Sequence, residues 1–221
     1  MDQGISEGGL IESVPVFPLP AAVLFPGIVI PLHIFEARYC SMMADTMADD
    51  ERMAIAMIKA GTEDDDAPEV HSVAGIGHVI HCEKLLGGRY NVLVQGIGRI
   101  KLLEELKGEQ EYRRFRAQWV PQPTDDDIEE AKFELLRLQG CVISLMGSIL
   151  QTDAELVEVL RSTSDPVKLA DILGATVVGK VEQQQDLLNT LHLKKRIAKL
   201  IDLMVDVLAT TGEIPPGAQS N

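Results

Sequence analysis

FPLPAAVLFPGIVIPLHIFEARY, residues 17–39, is apolar over most of its length, yet it holds four prolines and a glycine and ends in Glu, Ala, Arg and Tyr. A membrane-spanning helix needs about 20 consecutive apolar residues, and this run is too interrupted for one. Each proline also removes a ladder donor, so the run is too rich in proline for a central strand. Short strands and turns are what remain. Val14-Pro15-Val16-Phe17-Pro18-Leu19 reads as an edge strand. Pro26-Gly27 reads as a turn, and Ile28-Val29-Ile30-Pro31-Leu32 as a second short strand that Pro31 closes. From Ile34 the pattern changes: Ile34, Phe35, Arg38, Tyr39, Met42, Met43 and Met47 fall at helical spacing and predict a helix. On that helix Glu36 and Arg38, two apart, do not face each other, so each needs a partner elsewhere or solvent.

Downstream, strand signals continue to residue 122. MAIAMIK, residues 53–59, reads as a buried strand, and GTEDDDAPEV, residues 61–70, as an acidic loop. Residues 74–82 and 90–96 read as two strands joined by a tight hairpin at Gly87-Gly88. In the second, Tyr90, Val92 and Val94 share one face, and Asn91, Leu93 and Gln95 the other. Ile97 to Leu103 continues the sheet past a bulge at the glycines, and Phe115 to Val120 is a last strand. Many short strands punctuated by proline and glycine predict a sandwich or a partly closed barrel.

At Thr124 the character switches to helix. Thr124 followed by three aspartates is a helix start, with carboxylates at the positive end of the dipole. Ile128, Ala131, Leu135, Leu138, Val142, Leu145 and Ile149 then form one stripe along a long helix. Further helices are predicted from about Asp153 to Leu160, from Pro166 behind a Ser164-Asp165 cap, and through Ile197, Leu200, Ile201, Met204, Val207 and Leu208. The apolar side of that last helix has two possible uses, the core of the chain or a second copy of it.

Composition narrows the function classes. The chain has 221 residues, 46% hydrophobic, with a formal net charge of −14, so it is folded and repels nucleic-acid phosphates and anionic membranes overall. Two basic clusters stand against that charge. Arg113, Arg114 and Arg116 lie near Tyr112, Phe115 and Trp119; Lys194, Lys195 and Arg196 have no aromatic neighbour. Both read as solvated faces. Three scattered cysteines, Cys40, Cys82 and Cys141, point to a reducing compartment, and the acidic, glycine-rich start is no signal peptide, so the expected location is the cytoplasm.

The catalytic motifs that could be present are incomplete. GIG at 75–77 and at 96–98 lacks the third glycine of a dinucleotide fingerprint and sits in strand, so it reads as a bulge or a close strand crossing. Gly179-Lys180 is followed by valine and makes no phosphate loop. His78 and His81, three apart on a strand, point to opposite faces and share no metal. The carboxylate runs at 63–66 and 125–127 read as loop and cap, and no serine stands in a nucleophile setting. No cofactor, metal or catalytic residue is expected.

Six motifs follow one another along the chain. P-L-P, F-P-G and P-L-H-I-F-E-A-R-Y in residues 17–39 precede GRYNVLVQGIGRIKLLEEL at 88–106, then SDPVKLADILGA at 164–175 and QDLLNTLHLKKRI at 185–197. In this order and spacing they resemble the N-terminal substrate-binding domain of the Lon protease family, over roughly residues 13 to 210. The resemblance implies an α+β fold: a β-rich, PUA-like pseudo-barrel at 13–122 followed by a helical bundle at 123–210, with flexible tails at 1–12 and 211–221. It implies a non-catalytic module that binds an unfolded or partner polypeptide. Neither an ATPase phosphate loop nor a protease domain is visible, so a stand-alone domain is expected. The alternative is a PUA-like binder of nucleic acid or small molecules; no nucleic acid and no membrane are expected as partners. The motif residues Pro31, His33, Phe35, Glu36, Arg38 and Tyr39, with Tyr90 and Arg99, are the binding candidates, and Arg99 is expected to pair with Glu36.

Overall fold

The first strand, β1 (Leu10–Leu19), has neighbours on both flanks and is not an edge. It runs antiparallel to β6 (Arg114–Trp119) from Leu10 to Pro15 and parallel to β3 (Arg52–Met57) from Val16 to Leu19. Pro15 is thus registered against β6 and Pro18 against β3, so each proline keeps one flank that requires no donor. The strand also starts inside the segment expected to be a tail. The computed structural model describes residues 9–65, 67–149 and 154–211. The tail residues 1–8 and 212–221 lie outside it. The chain divides into two units, residues 1–122 and 123–221.

Strand β2 (Val29–Ile34) passes through Pro31 instead of closing there. It pairs antiparallel with β5 (Tyr90–Leu106), with Pro31 opposite Leu93 and Ile34 opposite Tyr90. The Gly96 N–H donates to the Ile28 carbonyl at 2.8 Å. In an antiparallel ladder, residues in phase with Ile28 therefore bond to β5, and Pro31, out of phase, turns its missing donor to the open flank. The helix predicted from Ile34 begins three residues later, as α1 (Ala37–Ala48). Ile34 belongs to β2, and Glu36 is the N-cap in extended backbone (φ −70°, ψ 136°).

β4 (Val73–Lys84) and β5 form the expected hairpin, with Gly87 and Gly88 at φ +82° and +78°. β5 is one strand of 17 residues. Its register against β4 shifts between Ile76 and Gly77, which face Gly98 and Gly96 and leave Ile97 as the extra residue. The sheet is mixed, in the order β2-β5-β4-β3-β1-β6, and the far half of β5 also pairs with β6. β5, β4, β3, β1 and β6 therefore close a ring of pairings, and among the described strands β2 alone has a single neighbour. One face of the sheet packs with Leu24, Ile34, Met42, Met43 and Met53; the other buries Val16, Ala74, Ile76, Ile100 and Trp119.

The second unit is helical: α2 (Asp125–Glu130), α3 (Lys132–Ile149), α4 (Ala154–Ser162), α5 (Pro166–Thr176), α6 (Val181–Asn189) and α7 (Leu193–Thr211). Thr124 and Asp127 form a capping box at the start of α2. The single long helix expected from there is two. Ala131 takes bridge-region dihedrals (φ −89°, ψ 3°) that interrupt it. The bonds from Ala131 N–H to Asp127 O and from Leu135 N–H to Ala131 O persist, so Ala131, Leu135, Leu138, Val142 and Leu145 are still buried as one stripe. The side chain of Ile149 lies outside the described residues. Asp165 caps α5 by accepting from the Val167 and Lys168 N–H groups, with Pro166 in the first turn. α6 escaped the sequence reading because its paired leucines, Leu187 and Leu188, give no period and its N-cap, Lys180, makes no side-chain cap. On α7, Ile197, Leu200, Ile201 and Met204 are buried within this unit, not held out for a second copy. The side chain of Leu208 is outside the described residues.

Candidate functional site

Alternation along β2 and β5 sets the outer face of the sheet. Val29, Pro31 and His33 are exposed on β2, and Leu93 and Gln95 on β5, while Ile34, Tyr90, Val92 and Val94 point into the core. The β4 register slips between Val79 and His81, so Ile80 and His81 both reach the surface. Two cross-strand rows result. One is Pro31–Leu93–His81 and the other is His33–Asn91–Glu83. Between and around them lies a pocket of about 370 Å³ lined by residues 31–33, residues 91–93 and His81.

The polar row is hydrogen-bonded. The Asn91 amide nitrogen donates to Glu83 Oε2 at 3.4 Å, which turns its oxygen to His33 Nδ1 at 2.7 Å. A carboxylate and an amide oxygen only accept, so His33 Nδ1 carries a proton, and in the uncharged tautomer Nε2 is the acceptor nitrogen. Phe35 continues the face beyond β2. It is 66% exposed, and its ring stacks on His33 with centroids 6.0 Å apart.

The other candidates stand elsewhere. Glu36 and Arg38 pair with each other, N to O 3.0 Å, because the N-cap backbone of Glu36 takes it off the helix where two-apart side chains diverge. Glu36 therefore has Arg38, not Arg99, as its ion partner. Tyr39 is buried against Phe17, ring centroids 4.5 Å apart, and its phenol is pushed above its ordinary pKa chiefly by burial. Tyr90 is buried in the same core, with the Lys84 ammonium 5.7 Å from its ring centre. Arg99 is buried, its guanidinium 5.8 Å from the centre of the Phe25 ring. Pro31, His33 and Phe35 are thus together on the surface, and Tyr39, Tyr90 and Arg99 are inside. The sequence reading missed Asn91, Leu93, His81 and Glu83. The outward alternation of Asn91 and Leu93 was visible, but the register that brings β2 alongside them was not.

The remaining clusters resolve into internal pairs. Arg113 bonds Glu105 and the Pro68 carbonyl, Arg114 bonds the Ser13 hydroxyl, and Arg116 bonds Glu12 and Glu104. His78 lies 3.4 Å from Glu51, away from the His81 pocket. Among the described residues no group of three or more His, Cys, Asp or Glu side chains is placed to hold a metal ion. No described helix is long and apolar enough to cross a membrane. Burial pushes the Cys82 and Cys141 thiols up, away from the reactive thiolate form.

A six-stranded mixed sheet followed in the chain by helices has solved counterparts among Lon N-terminal domains. The N-terminal domain of Mycobacterium avium complex Lon protease superposes with a TM-score of 0.69 at 21% identity, covering 88% of this chain and 98% of that one. A Lon N-terminal domain protein from Xanthomonas campestris gives 0.61 at 17% identity, covering 87% and 98%. The chain belongs to the ATP-dependent protease La (LON) substrate-binding domain family, whose family model matches residues 13–206. It is 30% identical over 194 residues to the Lon protease of Anaeromyxobacter dehalogenans and 28% identical over 204 residues to Lon protease 2 of Myxococcus xanthus. It covers 86% and 90% of its own length in those matches, but spans 22% and 24% of the relatives' length.

Proposed function

We propose that this chain is a binding module that captures unfolded or partner polypeptide, without catalysis of its own. The observation that carries the reading is the outer face of β2, β5 and β4. There Val29, Pro31, Phe35, Ile80 and Leu93 stand exposed around a pocket beside β2, the one described strand with a single neighbour. Exposed apolar groups clustered on one face mark an interaction surface. Exposed side chains along β2 repeat every second residue, about 7 Å apart, which is also the repeat of an extended polypeptide laid beside them. Pro31 gives no donor to the open flank, so capture is by the side-chain face of the sheet more than by adding a strand to its edge. The ring of strand pairings supports a PUA-like pseudo-barrel for the first unit, and the burial of α3 and α7 stripes supports a helical bundle for the second. The carboxylate and hydroxyl partners of Arg113, Arg114 and Arg116 oppose nucleic acid as the ligand.

The test is a fluorescence-anisotropy titration with a labelled, permanently unfolded polypeptide, its folded form as control. Saturable binding to the unfolded form, lost in Leu93→Glu, is expected. Equal binding to both forms, or binding that Leu93→Glu leaves intact, overturns the assignment of this face.

A further inference from the structure

We propose that the pocket between Pro31, His33, His81 and Leu93 is a socket for a tryptophan side chain, with His33 Nε2 accepting the indole N–H. The inference rests on polypeptide capture at this face but concerns which side chain is seated. Three observations carry it. The pocket, about 370 Å³, has room for one large side chain. Its outward-facing apolar side chains are Pro31 and Leu93, which suit a ring laid between them. The Glu83–Asn91–His33 row holds a proton on Nδ1, so in the uncharged ring the nitrogen left for a ligand is an acceptor.

A ligand matching that arrangement has a flat apolar body, one donor at its edge and no acceptor that the apolar walls would leave unpaired. Among side chains that is indole, which donates from Nε1 and accepts nothing. Phenylalanine fills the space but leaves the acceptor without its partner. Lysine and arginine bring donors with a charge and a hydration shell that the apolar walls cannot replace. Asn91 and Glu83 act as positioning residues: they hold the ring, and the ring meets the ligand.

The experiment uses the full chain, isotope-labelled, in slightly alkaline buffer. N-acetyl-tryptophanamide, its indole-N-methylated analogue and N-acetyl-phenylalaninamide are titrated while the Asn91 side-chain amide signal is followed. The expected result is that the tryptophan compound moves that signal and binds about 3–10-fold more tightly than the methylated analogue, the ratio one net hydrogen bond produces. In His33→Phe, which keeps the ring area and removes the acceptor, that ratio should fall to one. His33 is exposed, so the variant should fold, and an unchanged thermal midpoint is the check on this. Equal binding of the methylated analogue, no movement of the Asn91 amide by any compound, or a ratio that survives His33→Phe overturns the socket. The unfolded-polypeptide titration reads separately. Capture without tryptophan preference sinks the socket alone; tryptophan binding without capture sinks the polypeptide reading alone.

Discussion

Gly75 stands where the backbone of Leu24 crosses the sheet: a β-carbon at Gly75 would lie 2.0 Å from the Leu24 carbonyl oxygen. Gly96 has the same relation to the Phe25 carbonyl, at 2.1 Å. The two GIG motifs are thus the places where the segment after Pro20 lies directly on β4 and β5. Leu24 and Phe25 are fully buried as a consequence. The obstructing atoms are backbone and cannot rotate away. Gly75→Ala should therefore cost about 3 kcal/mol or more, the upper part of the overpacking range. Gly140→Ala, in α3 with open space beside it, should be neutral or stabilise by up to about 1 kcal/mol. Urea unfolding of both variants checks the contrast; equal midpoints would remove the crossing from the stability of the first unit.

In the second unit, Asp171 of α5 and Arg196 of α7 are both buried, with Oδ1 and Nε 3.8 Å apart. Arg196 also donates to the Thr190 carbonyl at 3.2 Å. Removing one member strands the other charge away from water. Asp171→Ala should cost about 3–5 kcal/mol, while the double replacement Asp171→Leu with Arg196→Met should recover much of that loss. A double-mutant cycle by urea unfolding measures the coupling. A double variant as unstable as the single would show that the cost comes from packing, not from the uncompensated charge.

The Glu36–Arg38 pair behaves differently because both side chains are nearly half exposed. Exposed ion pairs contribute roughly 0–1 kcal/mol. Glu36→Ala should therefore shift the thermal midpoint by at most about 4 °C, which differential scanning calorimetry resolves. A loss of several kcal/mol would instead mean that Glu36 has a buried partner in solution.

The strands, their faces and the glycine bulge were legible in the sequence because each is encoded within a few residues. Tyr90, Val92 and Val94 alternate with Asn91, Leu93 and Gln95, and glycines interrupt that alternation at one place. What could not be read was pairing. Pro15 and Pro18 signal an edge locally, yet β1 is flanked on both sides because it changes partner between them. The site shows the same division. Pro31, His33 and Phe35 share a stretch of chain, whereas Asn91, Glu83 and His81 join them through cross-strand register set by the whole sheet. Tyr39, Tyr90 and Arg99 belong to the same motifs but serve the interior. A motif fixes which residues recur together, and burial decides which of them a ligand can touch.

Asp127 gives a pH signature. Its carboxylate accepts from the Thr124 hydroxyl and backbone N–H, which holds its pKa below the ordinary aspartate value of 3.8. A folded pKa depressed below the unfolded one stabilises the fold above the unfolded pKa, and that contribution is lost as pH falls through the folded value. Asp127→Ala should thus lower the urea midpoint at pH 7, and the gap from the parent chain should close as the pH falls below 3.8 and through the depressed folded value. A gap that persists undiminished at low pH would assign the effect to helix propensity instead of the capping box.

Pro31 makes the last prediction. β2 has β5 on one flank and no described strand on the other, and an unpaired strand edge invites a second chain. On the open flank Val29 and His33 supply donors, but Pro31 between them has none. Pro31→Val would complete the alternating row of donors with a residue that favours strand. The fold should tolerate it within about 1 kcal/mol, since the ladder to β5 uses the residues on either side. The changed property should be association: Pro31→Val should form dimers or larger species at concentrations where the parent chain sediments as a smaller one. Sedimentation velocity across a concentration series reads this directly. Identical distributions for the two chains would mean that something other than proline protects this edge.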